Sequence, residues 1–250
     1  AAPLYDIWGF GFKSGEMPSA ELVARTLSQC GMPRLRREMG DAIASDGSLA
    51  PASLLLESSK LHLDSSHLQS GSSNCSRQSV SSQSAWQSDS PVSEILPQLN
   101  YNAIAQGYSC DVVAEYLYSI GVKDMMVDIG EIYCDGVNPS GQSWTLGIDR
   151  PVDGNNELGA DIQGIFRVPA GPHGVVTSGN YRKFYVKGGR KYAHTINPQT
   201  GYPVEHYLLS ATIVAPDAML ADAYATYCMV IGLEAAQQFI ESHSELEGCL

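Results

Sequence analysis

The chain is 250 residues long, 44% apolar and 17% charged, with a formal net charge of −12. That length allows one large or two small domains, and the composition is globular rather than disordered. The acidic balance excludes non-specific nucleic-acid binding, which needs a cationic surface to displace counterions, although a local basic patch can still hold an anion.

Residues 1–15, AAPLYDIWGFGFKSG, are aromatic and glycine-rich. Gly9 and Gly11 open a dinucleotide-like spacing, but Ser14 stands where the third glycine belongs and no apolar strand precedes them, so that motif is rejected. Pro18 and Ser19 open a helix of roughly ten residues, with Ser19 as its N-cap and Gly31 as its stop. Over 45–93 the composition shifts, and residues 65–90 are nearly half serine. Without periodicity, this reads as a flexible loop or linker that carries no chemistry. Three parts are therefore expected: an N-terminal part at 1–57, a serine-rich loop or insertion at 58–94, and a folded core at 95–250.

From residue 95 the elements become regular. Residues 107–120 read as an amphipathic helix, with Val112, Val113, Tyr116, Leu117 and Ile120 at helical spacing, ended by Gly121. DMMVDIG reads as a short buried strand. Residues 131–149 predict a hairpin around the turn NPSG, and 173–196 a second strand-turn-strand unit around Gly188-Gly189. LLSATIVA, 208–215, is a strand closed by Pro216, and Asp217 or a neighbour starts a helix through 219–231. Strands and helices are interspersed, so the expected fold is α+β, with mixed or antiparallel sheets and packed helices.

The six cysteines, Cys30, Cys75, Cys110, Cys134, Cys228 and Cys249, form no CxxC pair, which argues against a zinc knuckle or a thioredoxin-type site. Several sit in apolar runs and are expected to behave as small buried hydrophobes. No secretory-signal pattern or membrane-spanning run is read in these residues. The abrupt ends at Ala1 and Leu250 give the expectation of an excised piece.

Four segments have chemical potential. In LNYNAIAQGYSCD, 99–111, a polar turn meets a helix start whose backbone groups are available to a ligand. Ala103, Ala105 and Gly107 would let that ligand approach the main chain; an ordinary helix N-terminus has the same look. In VVTSGNYRKFY, 175–185, Thr177, Ser178, Gly179 and Asn180 put hydroxyls, an amide and a flexible backbone in one turn ahead of Arg182. Such a turn suits a phosphate or adenine, or is a polar hairpin corner. Arg182, Lys183, Lys187, Arg190 and Lys191 supply five of the 15 basic side chains here, either as an anion patch or as a solvated hairpin.

HTINPQTGYPVEH, 194–206, sets His194 immediately before a rigid turn, a position for a proton acceptor near pH 7; a lone histidine is equally a structural residue. In MLADAYATYCMV, 219–230, Asp222 and Thr226 lie four apart on one helix face. Carboxylate and hydroxyl are ligands that a hard cation such as Mg²⁺ prefers, though such spacings are common in ordinary helices.

In this order, WGFG (8–11), NAIAQGYSCD (102–111), MMVDIGEI (125–132), TSGNYRKFY (177–185), HTINPQTGYPVE (194–205) and ADAYAT (221–226) resemble the ApbE flavin transferases. The resemblance runs almost continuously from residue 95. It implies an ApbE-like FAD- and metal-binding core and an enzyme that moves FMN from FAD to a Thr or Ser hydroxyl of an acceptor flavoprotein, releasing AMP. By resemblance, Asp222, Thr226 and the main-chain carbonyl of Ala103 would hold Mg²⁺. Asn100, Gln106 and Ile196 match positions that contact FAD, and Thr177, Ser178, Gly179 and Asn180 would lie in the cofactor cleft. His194 would take the hydroxyl proton, with Asp128 and Glu131 as supporting groups.

The chain departs from the family pattern in places. One glycine, Gly130, precedes Glu131 where relatives carry two. Gln106 replaces a Lys or Glu, and Asn100 a common Asp. The family's N-terminal region is expected to precede WGFG and to lie outside this sequence, and the stretch 58–91 does not resemble the family. The alternatives are an FAD pyrophosphatase giving FMN and AMP, or a non-catalytic flavin-binding protein. The resemblance also implies an extracytoplasmic, periplasmic lipoprotein, touching the membrane only through an N-terminal lipid anchor outside this chain.

Overall fold

The computed structural model describes residues 2–10, 17–31, 100–153, 155, 157, 159–181 and 184–250. The serine-rich segment, Gly11, Ser14, Cys75, and the basic pair Arg182 and Lys183 fall outside them. The described elements run α1 (Ala2–Ile7), α2 (Ala20–Leu27), α3 (Ala105–Ser119), β1 (Met125–Asp128), β2 (Ile132–Asp135), β3 (Thr145–Asp149) and β4 (Ile162–Arg167). They continue with β5 (His173–Gly179), β6 (Phe184–Lys187), β7 (Arg190–Ala193), β8 (Ser210–Ala215), α4 (Ala218–Ile231), α5 (Leu233–Glu241) and β9 (Glu247–Cys249).

Five strands form one antiparallel sheet in the order β1-β2-β5-β8-β9, and β3–β4 and β6–β7 form separate antiparallel ribbons. Alternation along the strands splits the core. Val176 and Ile213, paired across β5 and β8, pack with Ala221, Ala225, Cys228 and Met229 of α4. Their neighbours Val175 and Val214 turn to the other face, against Val168, Trp144 and Phe166 from the β3–β4 region. β8 lies between both layers, and all six of its residues are buried. That is why its sequence, SATIVA, is apolar or small throughout. α3 packs on β1 and β2 through Cys110 and Ala114. The α+β class with antiparallel sheets is the one expected.

Local chemistry sets the helix ends. Ser19 accepts the Leu22 N–H at 3.2 Å and starts α2, and Asp217 accepts the Leu220 N–H at 2.7 Å and starts α4. Gly121 and Gly232, at φ +89° and +83°, end α3 and α4. The start of α4 rests directly on its neighbours. A Cβ on Gly107 would lie 2.2 Å from the Ala218 carbonyl oxygen, and one on Gly174 2.3 Å from the Ala218 Cα. Cys110, Cys134 and Cys228 are fully buried free thiols, and burial pushes each up to about 11.

Four expectations are corrected. The apolar stripe of α3 faces outward: Val112, Val113, Tyr116 and Ile120 are exposed, and of that stripe only Leu117 packs on the core. The close approach of α4 selects the small residues Gly107, Cys110 and Ala114 for the inner face. DMMVDIG forms an edge strand with alternating burial rather than a buried one. The NPSG turn forms, with Asn138 Oδ1 accepting the Ser140 and Gln142 N–H groups at 2.9 and 3.1 Å. The strands beside it do not pair, because β1 and β5 already occupy both edges of β2. Finally, 173–196 holds three strands: β5 joins the main sheet, and the Gly188-Gly189 turn, at φ +60° and +77°, links β6 to β7.

Candidate functional site

The site is built where the start of α3 meets α4. Asp222 lies in the second turn of α4 and is 4% exposed. Its Oδ2 accepts the Gly107 N–H at 3.2 Å. Gly107 lies in the first turn of α3, where N–H groups lack an intrahelical partner, and Asp222 supplies one. Asn100 shapes the approach by accepting the Asn102 N–H at 2.8 Å, and the Tyr101 carbonyl accepts from Ile104 and Ala105. One turn further along α3, the Asp111 oxygens accept the Ala218 and Met219 N–H groups at 2.8 and 2.9 Å. Asp111 stood in the GYSCD run without a role; it locks the start of α4, and with it Asp222, onto α3.

The carboxyls around this contact are held toward their neutral forms. Burial holds the Asp222 carboxyl above its usual range, opposed by the Gly107 hydrogen bond. Glu131, just before β2, is pushed up to about 7, first by burial and then by the negative charges of Asp222 and Asp128. Between them Gly130, at φ +111°, donates its N–H to Asp128 Oδ1 at 3.0 Å, while Gln106 Nε2 reaches the Ile129 carbonyl at 3.5 Å. Among the described residues, no three His, Cys, Asp or Glu side chains converge as a metal shell. A cation here would rest on the Asp222 carboxylate and the Thr226 hydroxyl, with the Ala103 carbonyl as the third ligand that the resemblance implies. That all-oxygen set fits Mg²⁺, and a cation would offset the Asp222 and Asp128 charges that add to burial in raising Glu131.

One turn along α4, the Thr226 hydroxyl lies 3.3 Å from that of Ser178, near the end of β5. Thr177 points elsewhere and pairs with Thr212 across β5 and β8 at 2.8 Å. Gly179 closes the strand opposite Ser210. Asn180 is 5% exposed; its N–H donates to the Leu209 carbonyl at 2.9 Å and its Oδ1 accepts the Thr195 hydroxyl at 2.7 Å.

His194 follows β7, half-buried, with the Phe10 ring edge-on at 6.5 Å between centroids. The turn after it is rigid. Ile196 bridges Pro203, Asn197 and Tyr202 share a backbone hydrogen bond of 2.9 Å, and Gly201 sits at φ +77°. The buried Trp8 indole donates to the Gly201 carbonyl at 2.7 Å, stacks on Tyr192 and meets the edge of Tyr202. WGFG is thus tied to the NPQTG turn almost two hundred residues away, the kind of polar partner a buried indole needs. On the β6–β7 ribbon, Arg190 pairs with Glu205 and Lys191 with Asp153, so these two cations are already neutralised.

Three contacts, Gly107–Asp222, Thr226–Ser178 and Asn180–Thr195, are thus linked through α4 and the end of β5, with Gln106 near the first and His194 beside the last. Thr177 turns into the sheet, and Ile196 serves the turn.

The model of the ApbE family matches residues 57–250. The FAD:protein FMN transferase of Salmonella typhimurium is 37% identical over 150 residues, 58% of this chain and 41% of that protein. That of Haemophilus influenzae is 34% identical over 156 residues, 61% and 44% of the two chains. Among solved structures, the apo form of the Pseudomonas stutzeri flavinyl transferase ApbE matches 99% of this chain and 60% of its own, with a TM-score of 0.64 and 26% identity. The flavin transferase ApbE from Vibrio cholerae gives a TM-score of 0.63 at 25% identity, over 98% and 62%. The chain spans less than half the length of these curated relatives.

Proposed function

Because the chain belongs to the ApbE family, we propose that it is the core of an FAD:protein FMN transferase. The observation that supports this most is the Asp222–Gly107 contact, which sets an oxygen-donor wall on α4 against the start of α3. An acceptor Thr or Ser hydroxyl would attack the FMN-side phosphorus of FAD, forming the phosphoester as the pyrophosphate bond breaks and AMP leaves. Asp222, Thr226 and the Ala103 carbonyl would hold Mg²⁺, which neutralises charge developing on phosphate oxygens. His194 would accept the hydroxyl proton. Asn100, Gln106 and the end of β5 would bound the FAD cleft and orient it. In this reading the protein works outside the cytoplasmic membrane, on a flavoprotein subunit, as a lipid-anchored protein.

The intact protein, FAD, Mg²⁺ and an acceptor domain test the proposal through acceptor mass and AMP release. The acceptor is expected to gain one FMN, with the gain lost on adding EDTA and reduced at least about 100-fold by Asp222→Ala. AMP and free FMN with an unmodified acceptor would replace transfer by FAD hydrolysis. Tight FAD binding without either product would make the protein a flavin carrier.

A further inference from the structure

We propose that Asn180 is a positioning residue for His194, acting through the Thr195 hydroxyl rather than by touching FAD. The inference rests on the reading of His194 as the base. His194 and Thr195 are the first two residues beyond β7, whose ladder to β6 ends at Ala193. Two contacts described for Thr195 fix it there: its carbonyl accepts the Val204 N–H at 3.0 Å, and its hydroxyl donates to Asn180 Oδ1 at 2.7 Å. The first ties it only to its own turn. The second ties it to the main sheet.

Asn180 can serve as an anchor because it is itself fixed. It follows β5 directly, it is 5% exposed, and its N–H donates to Leu209, the residue before β8. Two residues back, Ser178 meets Thr226 on the helix that carries Asp222. A displacement of Thr195 would therefore move His194 relative to the metal and phosphate side of the site, and misplacements of about 1 Å can cost about 100-fold in rate. A side chain this buried, with its oxygen committed to Thr195, has little surface to offer a cofactor.

The test compares Asn180→Ala, Thr195→Val, Thr195→Ser, the double variant Asn180→Ala/Thr195→Val and His194→Ala in the intact protein. FMN-transfer kcat, FAD affinity by flavin fluorescence and thermal unfolding are measured for each. Asn180→Ala and Thr195→Val should each lower kcat about 10- to 100-fold with FAD affinity within about threefold of wild type. Thr195→Ser should recover most of the rate, because it keeps the hydroxyl, and the double variant should be no slower than the slower single one. Wild-type kcat in a folded Thr195→Val overturns the proposal, and so does weakened FAD binding in Asn180→Ala alone. If Asn180→Ala does not fold, the Thr195→Val and Thr195→Ser pair still decides. Full activity in His194→Ala would instead remove the base reading, which is a separate failure.

Discussion

Around Asp222 the backbone elements close to contact through glycines, whereas around His194 a turn is held by side-chain hydrogen bonds and aromatic rings. At the first place Gly107 and Gly174 leave no room for a Cβ against Ala218, and Asp111 and Asp217 cap the same helix end. At the second, Trp8, Tyr192, Tyr202 and Phe10 surround the turn, with Trp8–Gly201 and Asn180–Thr195 as polar ties. In the proposed reading the first place would hold a cation, and close backbone packing would keep its oxygens fixed before any ligand arrives. In that reading the His194 turn depends on a few such side-chain ties, so loosening one would shift the base before it unfolds the chain. Changes near Asp222 should therefore cost folding first, and changes near His194 should cost rate first.

The largest effect should come from Gly107→Ala. Its Cβ would fall 2.2 Å from backbone that cannot yield without moving the start of α4. Overpacking of this kind should cost about 3 kcal/mol, read as a drop in urea midpoint, and Gly174→Ala should match it. Wild-type stability in either would mean that α4 is not seated on these glycines.

Next is Glu131, where burial and the charges of Asp222 and Asp128 hold the carboxyl at about 7 rather than 4.5. A raised carboxyl adds stability below its unfolded value, and loses that contribution as pH rises through about 7. The interval corresponds to about 3 kcal/mol, and solvent screening at this partly exposed group reduces it to about 2 kcal/mol. Glu131→Gln should therefore match wild type at pH 4 and exceed it at pH 8 in unfolding free energy. Equal stabilities at pH 8 would show that the carboxylates do not crowd one another.

On the softer side, Trp8→Phe keeps a ring but strands the Gly201 carbonyl. The expected loss is about 1.5 kcal/mol, with a fall in transfer kcat larger than this stability change would produce through unfolding. A variant that loses stability with kcat intact would make Trp8 a scaffold residue only.

The two regions also differ in how far the sequence announces them. Helix caps at Ser19 and Asp217, the Gly188-Gly189 turn and the break at Pro216 are local chemistry, and each was legible from a few residues. The Asp222/Thr226 spacing was legible for the same reason, since a helix fixes which side chains share a face. Other features depend on distant partners. Nothing near NPSG reveals that β1 and β5 will claim β2, so the expected hairpin does not form. The periodicity of α3 shows a helix but not which face turns inward, and the small residues Gly107, Cys110 and Ala114 win because α4 comes so close. Asp111, Trp8 and Thr195 act on residues 107, 193 and 15 positions away, beyond any local pattern.

The smallest effect should come from the charged ribbon that flanks the His194 turn. Lys191 pairs with Asp153 and lies 4.0 Å over the Phe184 ring, so its ammonium is occupied at the surface rather than held out for an anion. An exposed ion pair with a cation–π contact is worth about 0.5–1 kcal/mol, and salt should erode its ionic share. Lys191→Met should lower the unfolding free energy by no more than that, less so at high ionic strength, and leave FAD affinity unchanged. A loss of FAD affinity that salt reproduces in the wild type would instead make the ribbon part of the cofactor cleft. The firm wall at Asp222 would then have a second, electrostatic face on the softer side of the site.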